Sequence, residues 1–247
     1  MASSPATSAS ANEFCEPGTP SYPKWTVLDL MAWKVWPDRW GGGRNHLLAY
    51  KDAWVSYNRL RIAASAQNAG VSVELLAGVA WQEAGGDPDF SDTPKLLIRE
   101  FDWSGPDWVD DHLTVTSPPA KTSFGVISMQ LRSAAHELGL NADKISASRR
   151  SQLAECLETD TFNIEIVARH LRGLVQFDFP SADARRPTDE QFAIAGSRYN
   201  RGTQRRLADY QASLSAQQGS PGREYTEYGR AMLRRRVHVK QLLDGAP

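Results

Sequence analysis

The sequence predicts a mainly α-helical domain, on the strength of three observations. Apolar residues recur at three- and four-residue spacing, the period of an amphipathic helix, in most segments after residue 45. Helix-start patterns precede several of these segments, including a capping box formed by Thr188 and Gln191. Only residues 96–98, a short apolar run, have the composition of a strand. We therefore expect a helical fold with at most a minor β element.

Residues 72–88 form the segment around which the rest of the chain is organised. Ser72 suits an N-cap, because its hydroxyl can accept a hydrogen bond from an unpaired N–H of the first turn. The glycines and proline of residues 85–88 stop the predicted helix. One face of this helix is apolar until it ends in a carboxylate, and its members are Leu76, Val79, Ala80 and Glu83.

The position of Glu83 gives it two chemical interpretations. Burial against Val79 and Trp81 and the carbonyl end of the helix both disfavour a carboxylate, so a raised pKa is expected. A carboxyl group that is protonated near neutral pH can act as a general acid. The helix alone leaves a second interpretation equally open, in which Glu83 lies on a frayed last turn and faces water.

The remaining elements follow in chain order. Residues 1–24 are rich in Ser, Ala, Pro, Thr and Gly, which predicts a disordered or docking tail before a domain of residues 25–247. Residues 46–68 have helical spacing, whereas residues 89–122 are rich in Asp, Pro and Trp and predict a long loop or small lobe. Further helices are expected over residues 130–138, 148–159, 160 onward, 188–199 and 224–243. Ser148 is the predicted cap of the second of these. The third has an apolar stripe formed by Ile164, Val167, Leu171 and Leu174.

Composition limits the classes of function. A formal net charge of −1 does not support nucleic-acid binding through a basic surface. No apolar run is long enough to cross a bilayer. The N-terminus has neither the basic nor the apolar region of a Sec signal peptide. A chain without a membrane span and without a Sec signal is therefore expected.

The two cysteines, Cys15 and Cys156, exclude a framework of several disulfides. A single bridge remains open, but Cys15 lies in the predicted tail, so free thiols are expected. The five histidines are scattered and form no His-x-x-x-His pair, so neither a metal site nor a cofactor is predicted. His136 and His170 are interpreted as helix-surface or packing residues.

All eight tryptophans lie between Trp25 and Trp108. One interpretation is a Trp-rich core and interface. The other is a carbohydrate cleft, because the face of an indole ring suits the apolar face of a sugar. The core interpretation is favoured for Trp33, Trp36 and Trp40, which lie far in sequence from residues 72–88.

Five short segments occur in an order that is more informative than any one of them. Residues 80–88 contain Glu83 and are followed by residues 123–131, 160–164, 195–202 and 224–229. In this order they resemble the lysozyme-like superfamily, most closely its lytic transglycosylase and goose-type lysozyme branch. The resemblance covers roughly residues 46–240 and implies a lysozyme-like helical domain with a long Asp- and Trp-rich loop or a small β lobe.

The resemblance also implies roles for individual residues. Glu83 matches the general acid of the family, Asn163 matches an Asn that braces the fold near the site, and Tyr199 matches a Tyr whose hydroxyl approaches the catalytic carboxyl. The implied substrate-binding residues are Gln130, Tyr199, Asn200, Ser128 and Met129.

This chain departs from the family pattern at three places. The interval from Glu83 to Gln130 is longer than is usual in the family, and the extra residues are those of the Asp- and Trp-rich loop or lobe. Ala84 follows the glutamate where the family usually has Ser. Ile127 occupies the position three residues before Gln130 where the family has Gly, and Gly125 lies two residues further upstream. The backbone path beside the sugar is therefore not given by the resemblance.

Glycoside cleavage needs a proton donor and a second function that stabilises or attacks the oxocarbenium-like centre. Asp102, Asp110 and Asp111, all in the predicted loop, are the candidates for a second acid. Lytic transglycosylases instead use a single Glu and an internal hydroxyl of the sugar. The sequence leaves both mechanisms open.

The implied function is cleavage of the β-1,4 bond between MurNAc and GlcNAc in peptidoglycan glycan strands. Because this polymer lies outside the cytoplasm, we expect export by a non-Sec route and action in the periplasm of a target cell. Two routes fit, injection as by a type VI secretion system or phage-type lysis through a holin. We expect an antibacterial effector, with a cognate immunity protein and a component of the secretion apparatus as partners. The alternative is a non-catalytic glycan-binding or phage tail or lysis module on the same scaffold.

Overall fold

The computed structural model describes residues 12–16, 18, 20–85 and 121–245. These parts of the chain contain nine α-helices, two short 3₁₀ turns at Asp38–Trp40 and Arg223–Thr226, and one two-stranded sheet. A mainly α fold is therefore confirmed. In chain order the helices are α1 (Val27–Val35), α2 (Gly43–Ala69), α3 (Val73–Glu83), α4 (Leu131–Glu137), α5 (Ala147–Leu157), α6 (Asp160–Asp178), α7 (Asp189–Arg201), α8 (Leu207–Ser215) and α9 (Glu227–Asp244).

Local capping signals fix several helix ends where the sequence predicts them. The Ser72 hydroxyl accepts from the N–H of Leu75 at the start of α3, and Thr188 forms its capping box at the start of α7. The cap of α5 is Ser146 and not Ser148. Helix α1 is missing from the sequence prediction, although Thr26 opens it with a capping box. Helix α8 was also not predicted.

The core lies between α2, α3, α6, α7 and α9, which pack on one another. The apolar stripe predicted for α6 is buried at all four positions, so that prediction is confirmed. Helix α3 is buried along most of its length, from Leu75 to Trp81. Removing these side chains from water is the main stabilising contribution to the fold.

The sheet is a small antiparallel hairpin. Strand β1 (Ser123–Phe124) pairs with β2 (Met129–Gln130), with Ser123 opposite Gln130 and Phe124 opposite Met129. The predicted strand at residues 96–98 and nearly all of the predicted loop or lobe at residues 89–122 lie outside the described residues.

The described part of the N-terminal segment packs on the helices. Cys15 forms a disulfide with Cys156 of α5, so the expectation of free thiols is wrong. The side chain of Asn12 donates to the carbonyl of Gln152 at 2.9 Å, which holds the segment beside α5. This proximity depends on tertiary packing across 141 residues of sequence, and composition does not reveal it.

The described tryptophans are divided between core and surface. Trp25, Trp54 and Trp81 are buried, as the core interpretation requires. Trp36 and Trp40 are exposed and so lie outside the core, and Trp33 is partly buried. Trp103 and Trp108 lie outside the described residues. In the described part of the chain, no helix combines the length and the apolarity that a bilayer crossing requires.

Candidate active site

Glu83 is the last residue of α3, and the chain turns sharply after it. Ala84 is buried, and its N–H bonds to the carbonyl of Ala80 at 2.8 Å. Gly85 then adopts a φ of +74°, where a Cβ would lie 2.8 Å from Leu47 of α2. Glycine is the residue that accepts this conformation without strain and allows this close approach. The turn leaves the Glu83 side chain half-buried at the helix end.

A buried ammonium group occupies the carbonyl end of α3. Nζ of Lys51, from α2, donates to the carbonyl oxygens of Trp81, Gln82 and Ala84 at 2.5 to 3.0 Å. Lys51 is only 7% exposed. Burial lowers its pKa to about 8, against an opposing contribution from the Glu83 carboxylate. The repulsion that a helix C-terminus exerts on a carboxylate is therefore offset by a cation at that terminus.

The hydroxyl of Tyr228 donates a hydrogen bond of 2.6 Å to Oε1 of Glu83. Tyr228 lies in the first turn of α9, which approaches α7 so closely that a Cβ at Gly229 would collide with the carbonyl of Ala193. Burial, together with the Glu83 charge, raises the pKa of Tyr228 well above its ordinary value. Tyr228 therefore remains a protonated donor over the whole physiological pH range.

The resemblance assigns Tyr199 the contact that Tyr228 makes. The Tyr199 hydroxyl donates to the carbonyl of Ile127 instead. Tyr199 still lines the same cavity as Glu83, and burial, followed by the Glu83 charge, raises the pKa of Tyr199 well above its ordinary value. Sequence reasoning quoted the segment of residues 224–229 but gave Tyr228 no role. The adjacent glycine, which marks a close helix approach, is the signal that was available.

The hairpin turn at residues 125–128 is clamped from two sides. The side-chain oxygen of Asn163 accepts from the N–H of Ile127 at 2.9 Å, while Tyr199 bonds the carbonyl of the same residue. Gly125 has a φ of +76°, and a Cβ there would lie 2.8 Å from the amide group of Asn163. Gly125 therefore provides the turn, and Ile127 places its side chain in the core.

Glu83 faces a cavity of about 780 Å³, which is within the range of small-ligand sites. Glu83 and all five sequence-predicted binding residues line this one cavity: Ser128, Met129, Gln130, Tyr199 and Asn200. Asn163 lies behind the hairpin as a brace and is buried. The structure thus brings the predicted residues together, although they come from α3, the hairpin and α7.

The individual lining residues differ in what they offer a ligand. Met129 is buried and forms part of the apolar wall of the cavity. The side-chain oxygen of Gln130 accepts from Nε of Arg132 at 2.9 Å, which orients its amide. Ser128 and Asn200 are exposed polar residues, with Ser128 at a φ of +29°. Polar groups of this kind, set around an apolar wall, can fix the orientation of a bound ligand.

Phe177 is the exposed aromatic side chain of the cavity wall that the sequence analysis did not single out. It lies near the end of α6, lines the cavity and is 56% exposed. No tryptophan is among the described lining residues, and the aromatic rings of Phe177 and Tyr199 are the ones that a ligand in this cavity can contact.

Asp102, Asp110 and Asp111, the candidates for a second acid, lie outside the described residues. Over residues 12–16, 18, 20–85 and 121–245, no group of three or more His, Cys, Asp and Glu side chains is arranged to hold a metal ion. Two histidines interpreted as surface or packing residues, His136 and His170, line the cavity beside Glu137.

Comparisons of the chain with protein-family models, with curated proteins and with solved structures gave no match.

Proposed function

We propose that this chain is a muramidase of the lysozyme-like kind, which cleaves the β-1,4 bond between MurNAc and GlcNAc with Glu83 as the general acid. The observation that supports this best is the setting of the Glu83 carboxyl. Its Oε1 accepts from Tyr228, and the residue borders a cavity of sugar-binding size. Oε2 is then the oxygen that is free of this contact and can deliver a proton to the glycosidic oxygen.

Two groups favour the carboxylate that remains after proton transfer. Tyr228 donates to Oε1, and a hydrogen bond to a charged acceptor is stronger than one to a neutral acceptor. The ammonium of Lys51 lies behind the same helix end and attracts the developing charge. Both groups are in place before reaction, so no reorganisation is needed as the leaving oxygen takes the proton.

The disulfide supports action outside the cytoplasm. A bridge between Cys15 and Cys156 persists in an oxidising compartment and is rare in the cytosol. This agrees with a substrate that lies in the cell wall. We extend the proposal to an antibacterial effector that acts in the periplasm of a target cell and is neutralised by a cognate immunity protein.

Cleavage of purified sacculi tests the proposal. The wild-type chain is expected to reduce the turbidity of a sacculus suspension, and Glu83→Gln is expected to lose at least about 100-fold in initial rate. Glutamine keeps an oxygen for the Tyr228 hydroxyl and a similar shape, so the loss reports the missing proton. Tyr57→Phe, an exposed change on α2, is a control that should keep the wild-type rate.

The outcomes separate the two candidate functions. Equal cleavage by wild type and Glu83→Gln would refute Glu83 as the acid. Sacculus binding by both forms without any cleavage would favour the non-catalytic glycan-binding module. Protection of periplasmically expressed wild type by the product of a neighbouring reading frame would support the effector role, and failure of every neighbour to bind or protect would count against it.

A further inference from the structure

The cavity contains a second group able to accept and release protons. Nδ1 of His170, on α6, lies 3.0 Å from Oε1 of Glu137, the last residue of α4. The two side chains are 22% and 16% exposed, and both residues line the same cavity as Glu83. The pair is therefore held by two packed helices and is open to whatever occupies the cavity.

The contact with Glu137 fixes the tautomer of the imidazole. An ionised carboxylate can only accept hydrogen bonds, so the neutral His170 ring carries its proton on Nδ1. The lone pair is then on Nε2, which forms no hydrogen bond with any described residue. A carboxylate that orients an imidazole in this way also stabilises the imidazolium formed when the ring takes up a proton.

Tyr199 lines the same cavity as this pair and Glu83. The rings of His170 and Tyr199 are 6.0 Å apart, centroid to centroid, in an edge-on arrangement. The Glu83 charge also acts on Tyr199 and raises its pKa after burial has done so. Glu83 and His170 therefore both act on Tyr199, and all three residues line one cavity that a ligand can occupy.

We propose that His170, oriented by Glu137, is the general base that activates water in the cleavage reaction. This inference rests on the proposed function and deepens it, because it makes the enzyme a hydrolase. The bond between C1 and the leaving O4 breaks, and O4 takes the proton of Glu83. A water oxygen bonds to C1, and one proton of that water passes to Nε2 of His170. The products are a new reducing end and a free hydroxyl at O4.

The substitution His170→Asn separates catalysis from structure. An asparagine nitrogen lies near the position of Nδ1 and can still donate to Glu137, but nothing replaces Nε2. We expect its rate of sacculus cleavage to fall about 100-fold or more. His46→Gln is the matched control, because His46 forms the same kind of pair with a carboxylate, Nε2 to Oδ1 of Asp29 at 3.0 Å, and neither residue is among the described residues that line the cavity. The control is expected to keep the wild-type rate.

Azide provides a readout that a purely structural role would not change. The azide anion attacks C1 without losing a proton, so it replaces water and needs no base. It should restore cleavage by His170→Asn, with a glycosyl azide detected by mass spectrometry, and should not restore Glu83→Gln. Loss of rate in His170→Asn without rescue by azide would overturn the inference, and so would an unchanged rate.

The wild-type products test the inference without any variant. Proton NMR of the first products should show new reducing ends formed as the α anomer, because water activated by His170 attacks C1 opposite the leaving oxygen; a first-formed β anomer would overturn the base. Anhydro ends would overturn the base while leaving the acid in place, because an internal hydroxyl would then be the nucleophile. Absence of any cleavage by wild type, or full activity of Glu83→Gln, would overturn the proposed function and this inference with it.

Discussion

Removal of the disulfide should destabilise the fold strongly, and the chain offers a clean way to remove it. Cys15 and Cys156 are 141 residues apart, so the bridge closes a loop that spans more than half of the chain. In the chain-entropy treatment, a loop of this length restricts the unfolded state by about 5 kcal/mol at 25 °C, which is an upper value. Cys15→Ala removes the bridge and leaves the buried Cys156 side chain in its place.

Urea denaturation of three samples measures this effect. Oxidised wild type is expected to unfold at a clearly higher urea concentration than Cys15→Ala, and reduced wild type should match the variant. A reductant should not shift Cys15→Ala, which shows that the reductant acts only through the bridge. Equal midpoints for oxidised wild type and Cys15→Ala would refute the reasoning, because the loop would then contribute nothing to stability.

The remaining predictions concern the two groups beside Glu83 and one buried ion pair. The pKa of Lys51 in the folded state is about 8, below its ordinary 10.5, so the unfolded state binds more protons between these values and stability rises with pH there. Between pH 7 and pH 9.5, the free energy of unfolding of wild type should rise by about 2 kcal/mol more than that of Lys51→Met. The same change with pH in both proteins would contradict this. Tyr228→Phe should slow sacculus cleavage about tenfold or more, because the Glu83 carboxylate loses its donor; an unchanged initial rate would exclude that role. Arg198→Met should cost about 3–5 kcal/mol in denaturation, since it leaves the buried Asp178 carboxylate unpaired, and the double variant with Asp178→Leu should recover part of this loss.

Signals confined to one segment were sufficient to predict much of the helical structure. Ser72 and Thr188 cap α3 and α7. Each hydroxyl accepts a hydrogen bond from the N–H three residues further along the chain, which is a local interaction. The stripe on α6 was predictable for the same reason, since spacing along one helix determines which residues share a face. Helix α1 was not predicted. Its apolar residues are largely exposed in the structure and do not form one buried stripe.

Contacts across long sequence separations could not be predicted in this way. Tyr228 and Glu83 are 145 residues apart, and the order of helices α3, α7 and α9 in space decides which tyrosine meets the carboxyl. The pairing of Cys15 with Cys156 depends on the same kind of information. Composition suggested a mobile tail, whereas the packing of residues 12–16 against α5 determines the outcome.

The hairpin shows which side chains hold the backbone beside the cavity. The family pattern that the sequence resembles has glycine three residues before Gln130, at the position of Ile127. In the structure the residue that needs a positive φ is Gly125, and it starts the turn two residues earlier. Ile127 needs no such freedom, since its peptide is held by Asn163 at the N–H and by Tyr199 at the carbonyl. Two side chains thus fix the backbone that places Gln130 at the cavity. An Asn163→Ala variant loses the contact to the N–H of Ile127, so it should change the shape of the cavity under conditions in which the helices remain folded.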